Sequence, residues 1–203
     1  MMQVKLSQTG KRFGNRWVLR DLDLLIEPGQ KQVIVGSNGS GKSTLLLMLA
    51  GFLGQSTGNI EWATDKQRIP AESLYLHISL ASPALELVEE FTLEEMLRFH
   101  GQFKAFRNEL TINKLIQSFG FQSVKETNIK QFSSGMKQRL KLLLAMNSES
   151  DLLLLDEPCT NLDAAGVEWY HQLLENCSGQ TTIVIASNHK PEEYPAYDHL
   201  LSL

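Results

Sequence analysis

The residues Gly36, Ser37, Asn38, Gly39, Ser40, Gly41, Lys42, Ser43 and Thr44 match G-x-x-x-x-G-K-[ST] at every fixed position. An apolar run, Val33 to Val35, precedes them and a second, Leu45 to Ala50, follows. That order predicts a strand, a tight loop and a helix, and so an α/β fold whose loop closes on phosphate. The glycines let backbone N–H groups turn inward, and the helix N-terminus adds partial positive charge. Lys42 reaches the β- and γ-phosphates and the Ser43 hydroxyl is offered to Mg²⁺. Chance places the fixed positions in about one in a hundred chains of this length, so a plain glycine-rich turn is the weaker reading. A nucleoside triphosphate is the expected ligand.

A second motif narrows the chemistry. The apolar run Leu152 to Leu155 ends in Asp156, Glu157 and Pro158, as a buried parallel strand does when it delivers acids to the carboxyl edge of a sheet. There Asp156 is suited to the Mg²⁺ shell and Glu157 to polarising an attacking water. Taken alone, two acids after an apolar strand also describe the start of a solvated loop.

Composition bounds the rest. A chain of 203 residues with net charge −4 supports one sizeable core, with room for an inserted lobe. It offers no basic cluster for nucleic acid, so no nucleic-acid partner is expected. No apolar run reaches the length of a membrane span, and Met1 to Gln8 lacks the basic-then-apolar form of a signal peptide, so a cytosolic chain is expected. Cys159 and Cys177 read as two reduced thiols. Strand-like alternation occupies Gln3 to Ser7 and Asp23 to Glu27, with a turn at Pro28 and Gly29. Helical spacing occupies Leu93 to His100 and Leu110 to Phe119, and the aromatics from Phe99 to Phe106 read as packing within that helical region.

The third motif is Phe132, Ser133, Ser134, Gly135, Met136, Lys137, Gln138, Arg139 and Leu140, ahead of an amphipathic run to Met146. Locally it is a helix start with Ser133 or Ser134 as N-cap. With the two motifs above, in this order, the whole chain resembles an ATP-binding-cassette (ABC) ATPase, whose Leu-Ser-Gly-Gly-Gln signature stands here as Phe132 to Met136. The resemblance implies a P-loop NTPase core with an N-terminal antiparallel β subdomain and a helical subdomain inserted over about 75–146, all one domain over 1–203.

It also implies roles for single residues. Lys42, Glu157 and His189, the last following the strand Thr182 to Ile185, are the implied catalytic groups, with Asp198 at about the family spacing beyond the histidine. Ser43 and Asp156 hold Mg²⁺. Phe13 is the aromatic that stacks on adenine, with Trp17 as competitor. Asn161, Leu162 and Asp163 match the loop that crosses to a second subunit, whose Ser133, Ser134 and Gly135 close over the γ-phosphate. The family's metal-contacting glutamine is absent: Ala81 stands in its place, leaving Ser79, Ser82 or water to serve.

The resemblance further implies a homodimer, or a heterodimer with a related ATPase, held at the inner face of the cell membrane by an integral membrane transporter subunit. The Ser-x-Gly-Met-Lys-Gln-Arg-Leu form of the signature resembles ABC-2-type exporters and the haem exporter of cytochrome c maturation. The alternative is a soluble ABC ATPase serving iron–sulfur assembly or nucleic-acid maintenance. Leu85 to Phe91 matches the place where the membrane subunit docks, with Glu89 and Glu90 expected to face its basic residues.

Overall fold

The computed structural model describes residues 1–65, 67–120 and 122–203, the side chain of Phe119 excepted. In chain order its elements are β1 (Met2–Phe13), β2 (Arg16–Ile26), β3 (Lys31–Val35), α1 (Lys42–Leu49), β4 (Thr57–Thr64), β5 (Gln67–Ile69), α2 (Leu74–His77), β6 (Ile78–Ala81), α3 (Leu93–Phe103), α4 (Ile112–Phe119), α5 (Ser134–Asn147), β7 (Leu152–Asp156), α6 (Ala164–Cys177), β8 (Thr182–Ser187) and β9 (His199–Ser202). They divide into two compact units. The first comprises Met1–Leu80, Ser150–Glu157 and Ser178–Leu203, and the second Ala81–Glu149 and Pro158–Cys177.

The first unit begins with an antiparallel sheet of order β2-β1-β4-β5. β1 and β2 pair from Val4–Ile26 to Phe13–Arg16, well beyond the short strands expected from alternation. Register shifts between Leu6 and Arg12 carry the pairing through the polar middle, where Gln8 adopts φ 44 and its N–H donates to Asp23 Oδ1 at 2.7 Å. Such bulges let a strand continue where strict alternation fails.

The second sheet of this unit has order β6-β7-β8-β3-β9, with β7, β8, β3 and β9 parallel. Every residue of β7 and β8 is buried, which explains the apolar runs Leu152 to Leu155 and Ile183 to Ala186 within them: a parallel strand covered on both faces has no polar side to show. Their Leu152, Leu154 and Val184 join Leu45, Leu46, Met48 and Leu49 of α1 in one core with Val4, Leu6 and Ile26.

The second unit is helical. α3 starts at a capping box in which Thr92 and Glu95 satisfy each other's backbone N–H. α4 starts at Ile112 rather than Leu110, because the Thr111 side chain accepts from Lys114 N–H at 3.3 Å; it ends at Gly120, whose φ of 80 suits a residue without Cβ. Leu93, Leu97, Leu115, Ile129, Leu140 and Leu143 form its core. Phe99 meets Phe91 and Phe103 edge to face at 5.3 and 5.0 Å, and Phe106 stacks on His100 at 5.6 Å. These aromatics pack on one another, as their helical spacing predicts.

Candidate functional site

β3 delivers the glycine-rich loop at the carboxyl edge of its sheet. Residues Gly36 to Gly41 turn there with φ of 82 at Gly39 and 107 at Gly41, a backbone open to residues lacking Cβ. A Cβ on Gly36 would lie 2.5 Å from Ser40 Oγ and 2.8 Å from the Leu203 carbonyl. Gly41 is the N-cap of α1 with no side-chain cap, and the first turn carries no acid, so its amides and partial positive charge are offered to an anion. Lys42 folds back into this loop: its side chain, 4 % exposed, donates to the carbonyls of Gly36 at 2.8 Å and Ser37 at 3.1 Å. Ser40 Oγ is buried without a hydrogen-bond partner among the described residues. Ser37, Asn38, Gly39 and Ser43 are exposed and Thr44 is half-buried.

Strand register brings Asp156, Glu157 and the turn bearing His189 to the same edge. Val35 pairs with Ser187 across β3 and β8, and Asp156 pairs with Ala186 across β7 and β8. The glycine-rich loop, the acidic pair and the His189 turn therefore leave the carboxyl ends of three adjacent parallel strands, where ligands of open α/β sheets sit. Asp156 is 5 % exposed at the last position of β7. Glu157 N–H donates to the Ala186 carbonyl at 2.9 Å. Glu157 and His189 both take left-handed backbone, φ 43 and 55, which costs a residue with a side chain about 1–3 kcal/mol and concentrates at functional loops.

The two aromatic candidates for adenine differ in exposure. Phe13 is 52 % exposed, with Lys11 Nζ 5.3 Å from its ring centre. Trp17 is half-buried, has the Arg12 and Arg20 guanidinium groups 5.8 and 5.7 Å from its ring, and lies so close that a Cβ on Gly10 would meet Cζ3 at 2.9 Å. Of the serines near the missing glutamine, Ser79 has a buried hydroxyl with no hydrogen-bond partner among the described residues, whereas Ser82 Oγ accepts from Ala84 N–H at 3.3 Å. Ala81 is buried.

The second unit holds the signature. Ser133, not Ser134, is the N-cap of α5, its Oγ accepting from Met136 N–H at 3.2 Å. A Cβ on Gly135 would stand 2.7 Å from the Asn161 carbonyl, so glycine is required for that approach. Asn161 itself has φ 64. Ser133, Ser134, Gly135, Arg139, Asn161 and Asp163 line a cavity of about 260 Å³. Asp163 also caps α6, accepting from Gly166 N–H at 2.7 Å.

Motif reading alone missed two contacts of this unit. Gln138 is buried and donates to the Pro158 carbonyl at 2.9 Å, tying the signature helix to the chain just past Glu157; its place within the signature was the available signal. Lys137 Nζ pairs with Glu89 at 2.5 Å. Of the two acids expected to face a partner, Glu89 thus has an ion-pair partner within the chain; Glu89, Glu90 and the nearby Glu86 are all exposed. The three acids, with Pro83, Leu85, Leu87, Lys137 and Lys141, line a groove of about 510 Å³. Burial, then the charge of Lys137, pushes the Lys141 ammonium below its ordinary value against the opposing pull of Glu86.

Among the described residues no helix is long and apolar enough to cross a membrane, and no three His, Cys, Asp or Glu residues gather to hold a metal ion. The ABC transporter family profile matches residues 19–160. The chain is 27 % identical over 197 residues to the lantibiotic transport ATP-binding protein SrtF of Streptococcus pyogenes, covering 92 % of this chain and 80 % of that protein. To the Nod factor export ATP-binding protein I of Rhizobium johnstonii it is 28 % identical over 193 residues, covering 94 % and 62 %. The dimeric ABC transporter cassette MJ0796 superposes with a TM-score of 0.81 at 21 % identity, covering 98 % of this chain and 94 % of that one. The match spans most of the chain: this protein belongs to the ABC transporter family, as an ATP-binding domain.

Proposed function

We propose that residues 1–203 work as a single nucleotide-binding domain that hydrolyses ATP to drive an exporter. The observation that carries this reading is the junction of three strand ends at β7, β8 and β3, which gathers a phosphate loop, an acidic pair and a histidine turn on one sheet edge. Gly36 to Thr44 wrap the phosphates, Lys42 exchanges its two carbonyl partners for phosphate oxygens, and Phe13 stacks on adenine. Glu157 accepts a proton from the attacking water and His189 contacts the γ-phosphate. Such a site works by positioning and charge stabilisation, with little covalent chemistry of its own.

The Ser43 hydroxyl and the Asp156 carboxylate are hard oxygen donors of the type that suits Mg²⁺, and they are the residues that would hold it. Once bound, the ion would supply positive charge against the β- and γ-phosphates. Ser79, with its uncommitted buried hydroxyl, fits the vacated glutamine role better than Ser82 does.

Catalysis is shared between two chains in this reading. Ser133, Ser134 and Gly135 of one chain cover the nucleotide bound to the other, so the dimer is the working unit, as MJ0796 is dimeric. The chain lies in the cytoplasm, peripheral to the inner face of the cell membrane, and an integral membrane subunit occupies the groove along Leu85 and Leu87. Export is supported by the signature form and by the export role in the name of the Rhizobium relative. The test is Glu157→Gln: ATP binding is retained, turnover falls at least about a hundredfold, and an ATP-dependent dimer accumulates on a sizing column. Turnover at the wild-type rate would remove Glu157 as the base.

A further inference from the structure

β8 ends in two residues that anchor three loops. The Ala186 carbonyl accepts from Glu157 N–H at 2.9 Å and the Ser187 carbonyl from Gly36 N–H at 3.3 Å. The Ser187 side chain has a separate task. Fully buried, its Oγ accepts from Lys190 N–H at 3.1 Å and donates to the Lys190 carbonyl at 3.4 Å. These bonds span Asn188 and His189. They close a short turn in which His189 is held at φ 55, in the left-handed region that only a few per cent of residues with a side chain occupy. Beyond the turn, the Lys190 carbonyl also accepts from Glu193 N–H at 3.0 Å, Lys190 Nζ lies 3.9 Å from the Glu193 carboxylate, and Pro191 stiffens the chain. The imidazole between these anchors is exposed.

We propose that Ser187 is a positioning residue for His189: its buried hydroxyl staples the N–H and C=O of Lys190 and so sets the left-handed twist that presents the imidazole to the γ-phosphate. This rests on the reading of His189 given above. The chemistry selects a hydroxyl because a single Oγ both accepts and donates, which neither Ala nor Val does. The other two anchors at this strand end are backbone carbonyls, so a change of the Ser187 side chain releases the histidine turn and leaves the Gly36 and Glu157 contacts in place.

The test combines amide exchange with steady-state kinetics on the full chain. In the unmodified protein the Lys190 amide should be protected; exchange as fast as an open loop overturns the staple without any variant. Ser187→Ala should speed that exchange and lower kcat about tenfold, with KM for ATP unchanged within about twofold and the melting profile retained. Ser187→Thr, which keeps the hydroxyl, should restore protection and most of kcat. If Ser187 acts through His189, Ser187→Ala adds no further loss in a His189→Ala background. A wild-type kcat in Ser187→Ala beside an impaired His189→Ala overturns the role of Ser187 alone. Equal fractional losses in both backgrounds overturn it as well. A wild-type kcat in His189→Ala overturns the reading of His189 itself.

Discussion

The two units each present a helix N-terminus at their functional loop, and the two are finished differently. α1 begins at Gly41 with no side-chain cap, a lysine folded onto its own loop and a buried Ser40 hydroxyl lacking a hydrogen-bond partner among the described residues. α5 begins at Ser133, whose hydroxyl already satisfies Met136 N–H. Neither first turn carries an acid that would repel phosphate. In the proposed site the first end receives an anion, and Lys42 beside it supplies the countercharge. The second is satisfied in itself, and its glycine makes a close approach to Asn161 instead. This difference fits a division in which one helix end captures nucleotide and the other closes over nucleotide held by a second chain.

The largest expected effect comes from disabling each end in turn. Lys42→Ala should weaken ATP affinity by at least about a hundredfold, because the phosphates lose a desolvated cation, whereas Ser133→Arg should leave ATP binding by the isolated chain near wild type. Each variant should be inactive in hydrolysis. A mixed population pairs one sound glycine-rich loop with one sound signature and should recover part of the activity. Labelled-ATP binding and turnover after mixing check this; no recovery, with dimers verified, breaks the comparison.

A smaller effect sharpens the nucleotide side. Stacking on Phe13 should contribute about 1–3 kcal/mol, so Phe13→Ala should weaken ATP binding roughly tenfold or more while Phe13→Tyr is tolerated. Titration with a fluorescent ATP analogue reads this directly. If Trp17→Ala causes the loss and Phe13→Ala does not, adenine lies on Trp17, despite its flanking guanidinium groups.

The smallest effect belongs to the helical unit. Burial, then the nearby Lys104 charge, holds the His100 imidazole below its ordinary value, and its Nε2 lies 2.7 Å from the buried Ser148 hydroxyl. A histidine depressed in the folded state binds protons more readily when unfolded. Its contribution is therefore complete above the ordinary histidine value, about pH 6.5, and is lost as pH falls below it. The slope is at most about 1.4 kcal/mol per pH unit for one proton. His100→Gln keeps a polar group near Ser148 and should flatten the loss between pH 7.5 and 5, read by thermal melts. Equal slopes in the two proteins would place the acid sensitivity elsewhere.

How far motif and spacing carry depends on where each interaction lies along the chain. Gly36 to Thr44 are consecutive, and their chemistry is local backbone chemistry: glycines for positive φ, a lysine and a hydroxyl at fixed offsets. The same holds for Leu152 to Glu157, where continuous apolarity marks a strand buried on both faces. Helix α3 was readable at Leu93 from its helical spacing, and there Thr92 and Glu95 cap each other. The lengths of β1 and β2 were not readable, since the bulges that extend them are set by pairing with a neighbouring strand and leave no local pattern.

The sequence by itself determined the fold class, the nucleotide chemistry and the family, because those rest on short segments whose geometry follows from adjacent residues. Only the tertiary structure decided which serine caps the signature helix, that Glu89 is paired with Lys137, and that the Phe13 ring is exposed where Trp17 is half-buried and flanked by cations. It alone brought Ser187 to the point where Gly36, Glu157 and the His189 turn meet. Gly36, Glu157 and Ser187 lie far apart along the chain, and the register of parallel strands, fixed by hydrogen bonds between distant segments, is what makes them neighbours.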